Sequence, residues 1–230
     1  MNPTLENTLV LIPARGGSKG VPHKNKKPFA NGKSLVERTI ETALSVFPPS
    51  QIVLSTDDLE ILKQGAAYSI SLIERDPKLA SDSAGMYEVM LDAIDKYPQN
   101  EFLLLLQPTS PMRSKEHVLD ALSLFKEGDD AVVSMNEPKG HPFYTLFEVH
   151  GEYATKWNKN EIVRRQDLPS MYDVNGLIYL FRISSLKEKT WTSFEAIRPL
   201  IVGFNEAIDI DTQDDWLFAE ALISISQNTI

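Results

Sequence analysis

Apolar and polar positions come in alternating blocks along the N-terminal half of the chain. Thr8–Ala14 (TLVLIPA) is a continuous apolar run closed by Arg-Gly-Gly, the pattern of a strand buried on both faces. Ser34–Val46 carries apolar residues at helical spacing, with Ser34 placed as N-cap and Glu37 as its capping-box partner. A short strand over Gln51–Thr56, a helix over about Asp58–Tyr68 and a weaker strand over Ile70–Glu74 follow. Next come a helix near Ala84–Lys96 and the very apolar strand Glu101–Gln107 (EFLLLLQ), cut off by Pro108 and Pro111. A helix near Ser114–Phe125 and a strand over Ala131–Met135 complete the series.

This alternation predicts an α/β fold: a mostly parallel sheet with helices on both faces. Ligands of such sheets sit at the carboxyl ends of the strands. The loops after Ala14, Thr56, Gln107 and Met135 are therefore expected to line one cleft. The pattern breaks between about Asn136 and Arg182, a stretch richer in proline, aromatics and charge with no helical period. It reads as a β-rich insertion of short strands, an arm suited to pairing with a second subunit. Ile201–Phe204 then reads as a strand and Thr212–Ile225 as an amphipathic helix. The chain reads as one domain over residues 1–230, with the insertion at about 136–182.

Composition narrows the function. At 230 residues and 42% hydrophobic, the chain can bury a sizeable core. A net charge of -9 with no long basic block argues against a nucleic-acid partner. The absence of cysteine excludes disulfides, thiol nucleophiles and Cys-ligated zinc. With neither a signal-peptide pattern at Met1–Asn7 nor a window apolar enough to cross a bilayer, the expected location is the cytoplasm, with no membrane partner. Against the acidic total, residues 15–33 hold Arg15, Lys19, Lys24, Lys26, Lys27 and Lys33 and no acid, which suggests an anionic small molecule.

Four constellations carry candidate chemistry. In Arg15-Gly16-Gly17-Ser18-Lys19-Gly20, followed by Lys24 and Asn25, paired glycines after a strand let backbone amides approach an anion, and Arg15 and Lys19 add fixed charge. It is neither a P-loop, since Lys27 stands where Gly is required, nor a dinucleotide fingerprint. In Gln107-Pro108-Thr109-Ser110-Pro111-Met112-Arg113, Gln107 projects from a strand end with an amide suited to a nucleobase edge, and Thr109 and Ser110 offer hydroxyls. In Asp209-Ile210-Asp211, an extended backbone puts both carboxylates on one side, where they could share a divalent cation. Thr212 or Asp211 serves as N-cap of the last helix, and Asp214 and Asp215 suit its first turn. Finally, Arg164-Arg165-Gln166 with Tyr172, Asn175-Gly176 and Tyr179 suggests a carboxylate receptor, although Asn-Gly by itself is an ordinary hairpin turn. The four histidines are scattered and read as structural or surface residues, and no Ser-His-Asp pattern is visible.

Together these segments resemble the acylneuraminate cytidylyltransferases, or CMP-sialic acid synthetases. The matching stretches are IPARGGSKGVPHKN at 12–25, LQPTSPMR at 106–113, RRQDLPSMYDVNGLIY at 164–179 and AIDIDTQDD at 207–215, in the family's order. The resemblance implies a nucleotide-diphospho-sugar transferase-like, Rossmann-like fold and a homodimer formed through the insertion. It implies transfer of CMP from CTP to a nine-carbon sugar acid, with Mg²⁺ or Mn²⁺. Arg15, Gly16, Ser18, Lys19, Lys24, Asn25, Gln107 and Thr109 are then expected at the nucleotide, with Arg15, Lys19 and above all Lys24 stabilising charge on the phosphates. Asp209 and Asp211 fall on the metal ligands, and Arg165, Gln166, Asn175 and Tyr179 where the sugar acid is held.

The chain departs from some members on the sugar side. His141-Pro142 is followed by Phe143 and Tyr144 where some have a lysine, and Asp173 stands where some have arginine. The acceptor is thereby left open among neuraminic, legionaminic and pseudaminic acids. No side chain presents itself as general base. The competing readings are a CMP-KDO synthetase, a nucleotidyltransferase for sugar 1-phosphates, and a CTP sensor without catalysis.

Overall fold

A computed structural model describes residues 2–80, 85–158, 164 and 168–228. Its N-terminal half contains β1 (Thr8–Pro13), α1 (Leu35–Leu44), β2 (Ile52–Thr56), α2 (Leu59–Ala66), β3 (Ser71–Glu74), α3 (Pro77–Ala80), α4 (Met86–Lys96), β4 (Phe102–Leu105) and α5 (Lys115–Leu124). There follow β5 (Ala131–Asn136), α6 (Pro142–Thr145), β6 (Phe147–His150), β7 (Tyr153–Lys156), β8 (Asp173–Arg182), α7 (Ile183–Glu188), β9 (Ile197–Ile201) and α8 (Gln213–Asn228).

Seven strands form one sheet in the order β3-β2-β1-β4-β8-β5-β9. All run parallel except β8, which is antiparallel to both β4 and β5. Alternate residues of β1 serve opposite cores. Val10 and Ile12 pack with Val36 and Ile40 of α1, Ile61 of α2 and Val118 of α5. Leu9 and Leu11 pack with Met90 and Ala93 of α4 and Leu186 of α7. Both faces of the strand are dry, which is why its sequence is apolar throughout.

The expected helices α1, α2, α4 and α5 are present, and Ser34 caps α1 in a full capping box with Glu37. Two expectations are corrected. The insertion ends earlier than residue 182, because Asp173–Arg182 is a central ten-residue strand rather than part of an arm. Asn175-Gly176 is accordingly not a hairpin turn but the middle of the sheet, and α6 places a short helix in a stretch read as helix-free. The last strand is Ile197–Ile201, not Ile201–Phe204; it is an edge strand, where Pro199 is tolerated. What remains of the insertion projects the hairpin β6–β7, whose residues are nearly all exposed. Among the described residues, no helix is long and apolar enough to cross a membrane.

A bulge between Val133 and Met135 breaks the β5–β8 ladder. Its polar groups are satisfied internally. Ser134 Oγ donates to Asn175 Oδ1 at 2.6 Å and accepts from the Ile178 amide at 2.8 Å. Asn175 Nδ2 donates to Asn136 Oδ1 at 2.9 Å. At the other end of β5, Asp129 accepts two hydrogen bonds from Arg198 of β9, at 2.7 and 2.9 Å, and one from the Lys126 amide. Burial alone would raise the Asp129 pKa, but these donors outweigh it and hold it below the usual carboxylate range. A depressed folded-state pKa gives stability that is present above the unfolded value, ~4, and lost as pH falls through the folded one. Asp129→Asn should therefore lower the Tm at neutral pH and flatten its decline under acid; an unchanged acid limb in thermal denaturation would contradict this role.

Candidate active site

The strand order reverses beside β1: β2 and β3 lie on one side, β4 on the other. At such a switch point the loops leaving adjacent strands diverge and open a crevice. Here the loops after β1 and β4 border a cleft of about 300 Å³ lined by Arg15, Lys24, Asn25, Gln107, Thr109, Asp209 and Asp211. Seven of the residues singled out in the sequence thus meet in one place.

A small third core draws these distant segments together. Val21 and Phe29 from the basic loop pack with Ile208, Ile210 and with Trp216 of α8. Phe29 meets Trp216 edge-on at 4.7 Å between ring centroids, and Lys27 Nζ lies 3.8 Å over the Trp216 ring. The Ile210 amide donates to the Thr109 carbonyl at 2.8 Å, docking the aspartate segment on the loop after β4. Lys24 Nζ donates to the Ile210 carbonyl at 2.5 Å and to Asp211 Oδ1 at 3.0 Å. Thr212, rather than Asp211, caps α8: its hydroxyl accepts from the Asp215 amide, while the Asp215 carboxylate takes the amides of Asp211 and Thr212. Asp215 therefore fixes the backbone of Asp211 as well as stabilising the helix.

The two aspartates differ. The Asp211 side chain is largely exposed. Asp209 has an Oδ1 that is buried without a hydrogen-bond partner among the described residues. Burial pushes its pKa up and the neighbouring Asp211 carboxylate adds to this, against the lowering effect of a hydrogen bond from the Thr109 side chain and the charge of Lys24. Thr109, expected at the nucleotide, thus has its side chain on Asp209. Gln107 Oε1 lies where a side chain on residue 176 would put its Cβ, 2.8 Å away, so Gly176 is what lets Gln107 lie flat on β8.

The other expected residues are placed as follows. The Gly16 amide donates to Asp57 Oδ1 at 2.9 Å, and its Cα faces Asp58. Ser18 and the exposed Lys19 belong to the same loop but do not line the cleft. Asn25 bridges to the Arg15 carbonyl at 2.9 Å. Asn175 is 8% exposed and committed to the β5–β8 bulge, away from the cleft lining. Tyr179 stacks on Phe181 and meets Trp191 edge-on, and its hydroxyl pKa is pushed up to about 12, first by burial and then by the charge of Asp209. Arg165 and Gln166 lie outside the described residues.

Much of the basic run is already engaged. Lys26 pairs with Asp58 and Glu60, both at 2.7 Å, and Lys33 with Glu41 at 2.6 Å. A cation that the sequence reading missed replaces them in the cleft. Arg75, at the end of β3, donates to Ser55 Oγ at 3.1 Å and to the Ser55 carbonyl at 2.6 Å while lining the cleft. Its position after a strand was the available signal, obscured because β3 is short and weakly apolar.

A cleft at a switch point, with arginine and lysine opposite paired aspartates, is a place for a polyphosphate. The cytidylyltransferase family profile matches residues 9–222. The chain belongs to the cytidylyltransferase family. It is 34% identical to the N-acylneuraminate cytidylyltransferase of Streptococcus agalactiae over 215 residues, which cover 91% of this chain and 51% of that one. It spans about half the length of that relative. It is 31% identical to the CMP-N,N'-diacetyllegionaminic acid synthase of Legionella pneumophila and 30% to the pseudaminic acid cytidylyltransferase of Campylobacter jejuni, covering 96% of this chain and 98% of each. Among solved structures it resembles a CMP-2-keto-3-deoxy-manno-octonic acid synthetase in complex with CTP, with a TM-score of 0.72 at 17% identity, over 96% of this chain and 99% of that one. At that identity the likeness concerns the fold.

The approach of the basic loop to the aspartates depends on Gly20, where an added Cβ would lie 1.8 Å from the Asp211 carbonyl oxygen. Gly17, in the same loop, faces open space. Gly20→Ala should cost about 1–3 kcal/mol or more, the range of overpacking, whereas Gly17→Ala should leave stability nearly unchanged. Equal effects in denaturant titrations would show that the loop does not seat on Asp211.

Proposed function

We propose that the chain transfers CMP from CTP to the anomeric hydroxyl of a nine-carbon, sialic-acid-like sugar acid and releases pyrophosphate. The observation that carries this reading is the cleft itself: Arg15, Lys24 and Arg75 face Asp209 and Asp211 at the sheet's switch point, in a chain of the cytidylyltransferase family. The relatives named for neuraminic, legionaminic and pseudaminic acids support the acceptor class.

In this reaction the hydroxyl oxygen forms a bond to the α-phosphorus, and the bond to the bridging oxygen breaks, leaving pyrophosphate with the electron pair. The work of the protein is positioning and charge stabilisation. In this reading Arg15 and Lys24 supply fixed positive charge at the phosphates, and the Gln107 amide would read the base. Asp209 and Asp211 fit a divalent cation, because the buried, unpartnered Oδ1 of Asp209 and its raised pKa call for a positive neighbour. Among the described residues no group of three metal-ligand side chains exists, so the ion would share its coordination with the phosphates, as Mg²⁺ commonly does. Such an ion neutralises charge developing on the triphosphate.

The acceptor belongs, in this reading, to the arm. A second cavity of about 420 Å³ is lined by Lys139, His141, Tyr144 and Tyr172. Tyr144 there, and Asp173 at the start of β8, would select among the sugar acids, with Arg165, Gln166 and Tyr179 contributing to the carboxylate side. The hairpin β6–β7 exposes Phe147, Val149 and Tyr153 at 55%, 74% and 77%, a surface that a second copy of the chain would cover. A donor of this kind places the reaction in the cytoplasm.

Pyrophosphate release from CTP and Mg²⁺ should appear with one of N-acetylneuraminate, legionaminate or pseudaminate, and vanish with a chelator. Release with none of them, or with KDO alone, would contradict the acceptor class. Lys24→Ala should lower turnover by roughly 10²–10³-fold, the loss typical of one stabilising donor. Sedimentation should show a dimer, and Val149→Glu with Tyr153→Glu should convert it to monomer; a wild-type monomer would remove the arm's assigned role.

A further inference from the structure

The ladder between β4 and β8 ends at the pair Leu105 and Tyr179. Two residues further along that register stand Gln107 and Leu177, and Pro108 after Gln107 has no N–H to give. Carbonyls buried at such a strand end need donors from elsewhere. One side chain supplies them. The Arg113 guanidinium is 6% exposed and donates to the carbonyls of Leu177 at 2.5 Å, Gln107 at 2.7 Å and Gly176 at 3.4 Å. Burial lowers its pKa to about 9 and the charge of Asp209 opposes that fall, so the group is a cation at neutral pH. The planar fork of an arginine can serve two strands at once, whereas a lysine ammonium is a single point of charge.

This clamp acts on the residue placed at the base. A glutamine amide is ambiguous, because turning it over exchanges its donor and its acceptor. One orientation suits cytosine, whose edge offers an N4 amino donor beside the N3 acceptor. The other suits uracil, which offers an O4 acceptor beside an N3–H donor. Reading one base and rejecting the other therefore requires an amide that cannot turn. Gln107 is held at both ends. Its carbonyl accepts from Arg113 and from the Ser110 amide at 3.2 Å. Its Oε1 packs against Gly176: a Cβ added there would lie 2.8 Å from Gln107 Oε1, 2.8 Å from Ser110 Oγ and 3.8 Å from Asp209 Cγ. The backbone that seats the amide is the one whose carbonyl the same guanidinium holds.

We propose that Arg113 is a positioning residue for base selection. By tying the loop after β4 to β8 it holds the Gln107 amide in one orientation, and the cleft then prefers a cytosine nucleotide to a uracil one. The inference rests on the assignment of Gln107 to the base.

The test is calorimetric titration of the full chain with CTP and separately with UTP, each with Mg²⁺ and without an acceptor. The wild type should favour CTP, and Gln107→Ala should lose most of that preference. Arg113→Lys keeps the charge beside Asp209 but not the fork. It should shrink the ratio of UTP to CTP dissociation constants by roughly tenfold or more, since a fixed hydrogen-bonding site rejects a mismatched partner by at least that much. A purely structural role would weaken both nucleotides alike and leave the ratio intact. Gly176→Ala presses on Gln107 Oε1 while leaving Arg113 in place; it should lower the same ratio, and it carries the test if Arg113→Lys does not fold. A wild type that binds UTP as well as CTP, or a wild-type ratio in Gln107→Ala, in Gly176→Ala or in folded Arg113→Lys, would each overturn the proposal. No acceptor enters these titrations, so the expected ratios without pyrophosphate release from any sugar acid would count against the proposed function alone.

Discussion

Among the described residues Oδ1 of Asp209 is buried without a hydrogen-bond partner, and much of the cleft is arranged around that oxygen. A carboxylate in this position is tolerable only if nearby donors and cations keep its charge from being stranded. Thr109 gives it a hydrogen bond, Lys24 gives it charge at a distance, and Arg113 adds a buried positive field. These residues come from three loops far apart in sequence. The fold must bring them within a few ångströms and hold them there, because small misplacements at a charged centre are expensive.

Two features of the sheet do this. The reversal of strand order between β1 and β4 opens the crevice, and the antiparallel β8 runs beside β4 and supports the loop that carries Gln107. Gly176 in β8 allows Gln107 to lie against the sheet, and Arg113 ties the Gln107 carbonyl to those of Gly176 and Leu177. The aspartates are delivered by α8, whose Trp216 packs on Phe29 so that the basic loop and the acidic segment share one small core. Charge in the cleft and structural burial are therefore coupled: Lys24 is placed against Asp211 by a small apolar core, together with Asp215, which holds the Asp211 backbone.

Most of the parallel sheet was legible because its strands are buried on both faces and its helices carry caps and a clear apolar stripe. Arg15 and Gln107 were legible because each follows a strand end, whereas Lys24 and Asp211 were legible from the basic loop, the Asp-Ile-Asp spacing and the family resemblance. What escaped was governed by tertiary context. β8 carries Asp173, Asn175 and Gly176 in what became a central strand, because Asp173 lies exposed at its start, a bulge with its own side-chain network absorbs Asn175, and a close approach requires the glycine. That network also explains why Asn175 points to the fold rather than the ligand. Pro199 disguised an edge strand. The count of lysines in the basic loop overstated the charge offered to a ligand, since Lys26, Lys27 and Lys33 are spent on Asp58, Trp216 and Glu41. Arg75 is the converse: a single arginine after a weak strand, with no motif around it.

The claim on which the rest turns is that Asp209 and Asp211 hold a divalent cation together with the nucleotide. Mn²⁺ binding followed by electron paramagnetic resonance, with CTP present, tests it most directly. The account predicts a bound ion in the wild type and binding weakened by at least about tenfold in a folded Asp209→Asn variant, as befits loss of a ligand whose supporting contacts alone are worth that much. Wild-type Mn²⁺ affinity in Asp209→Asn would contradict it and leave the buried carboxylate a structural feature.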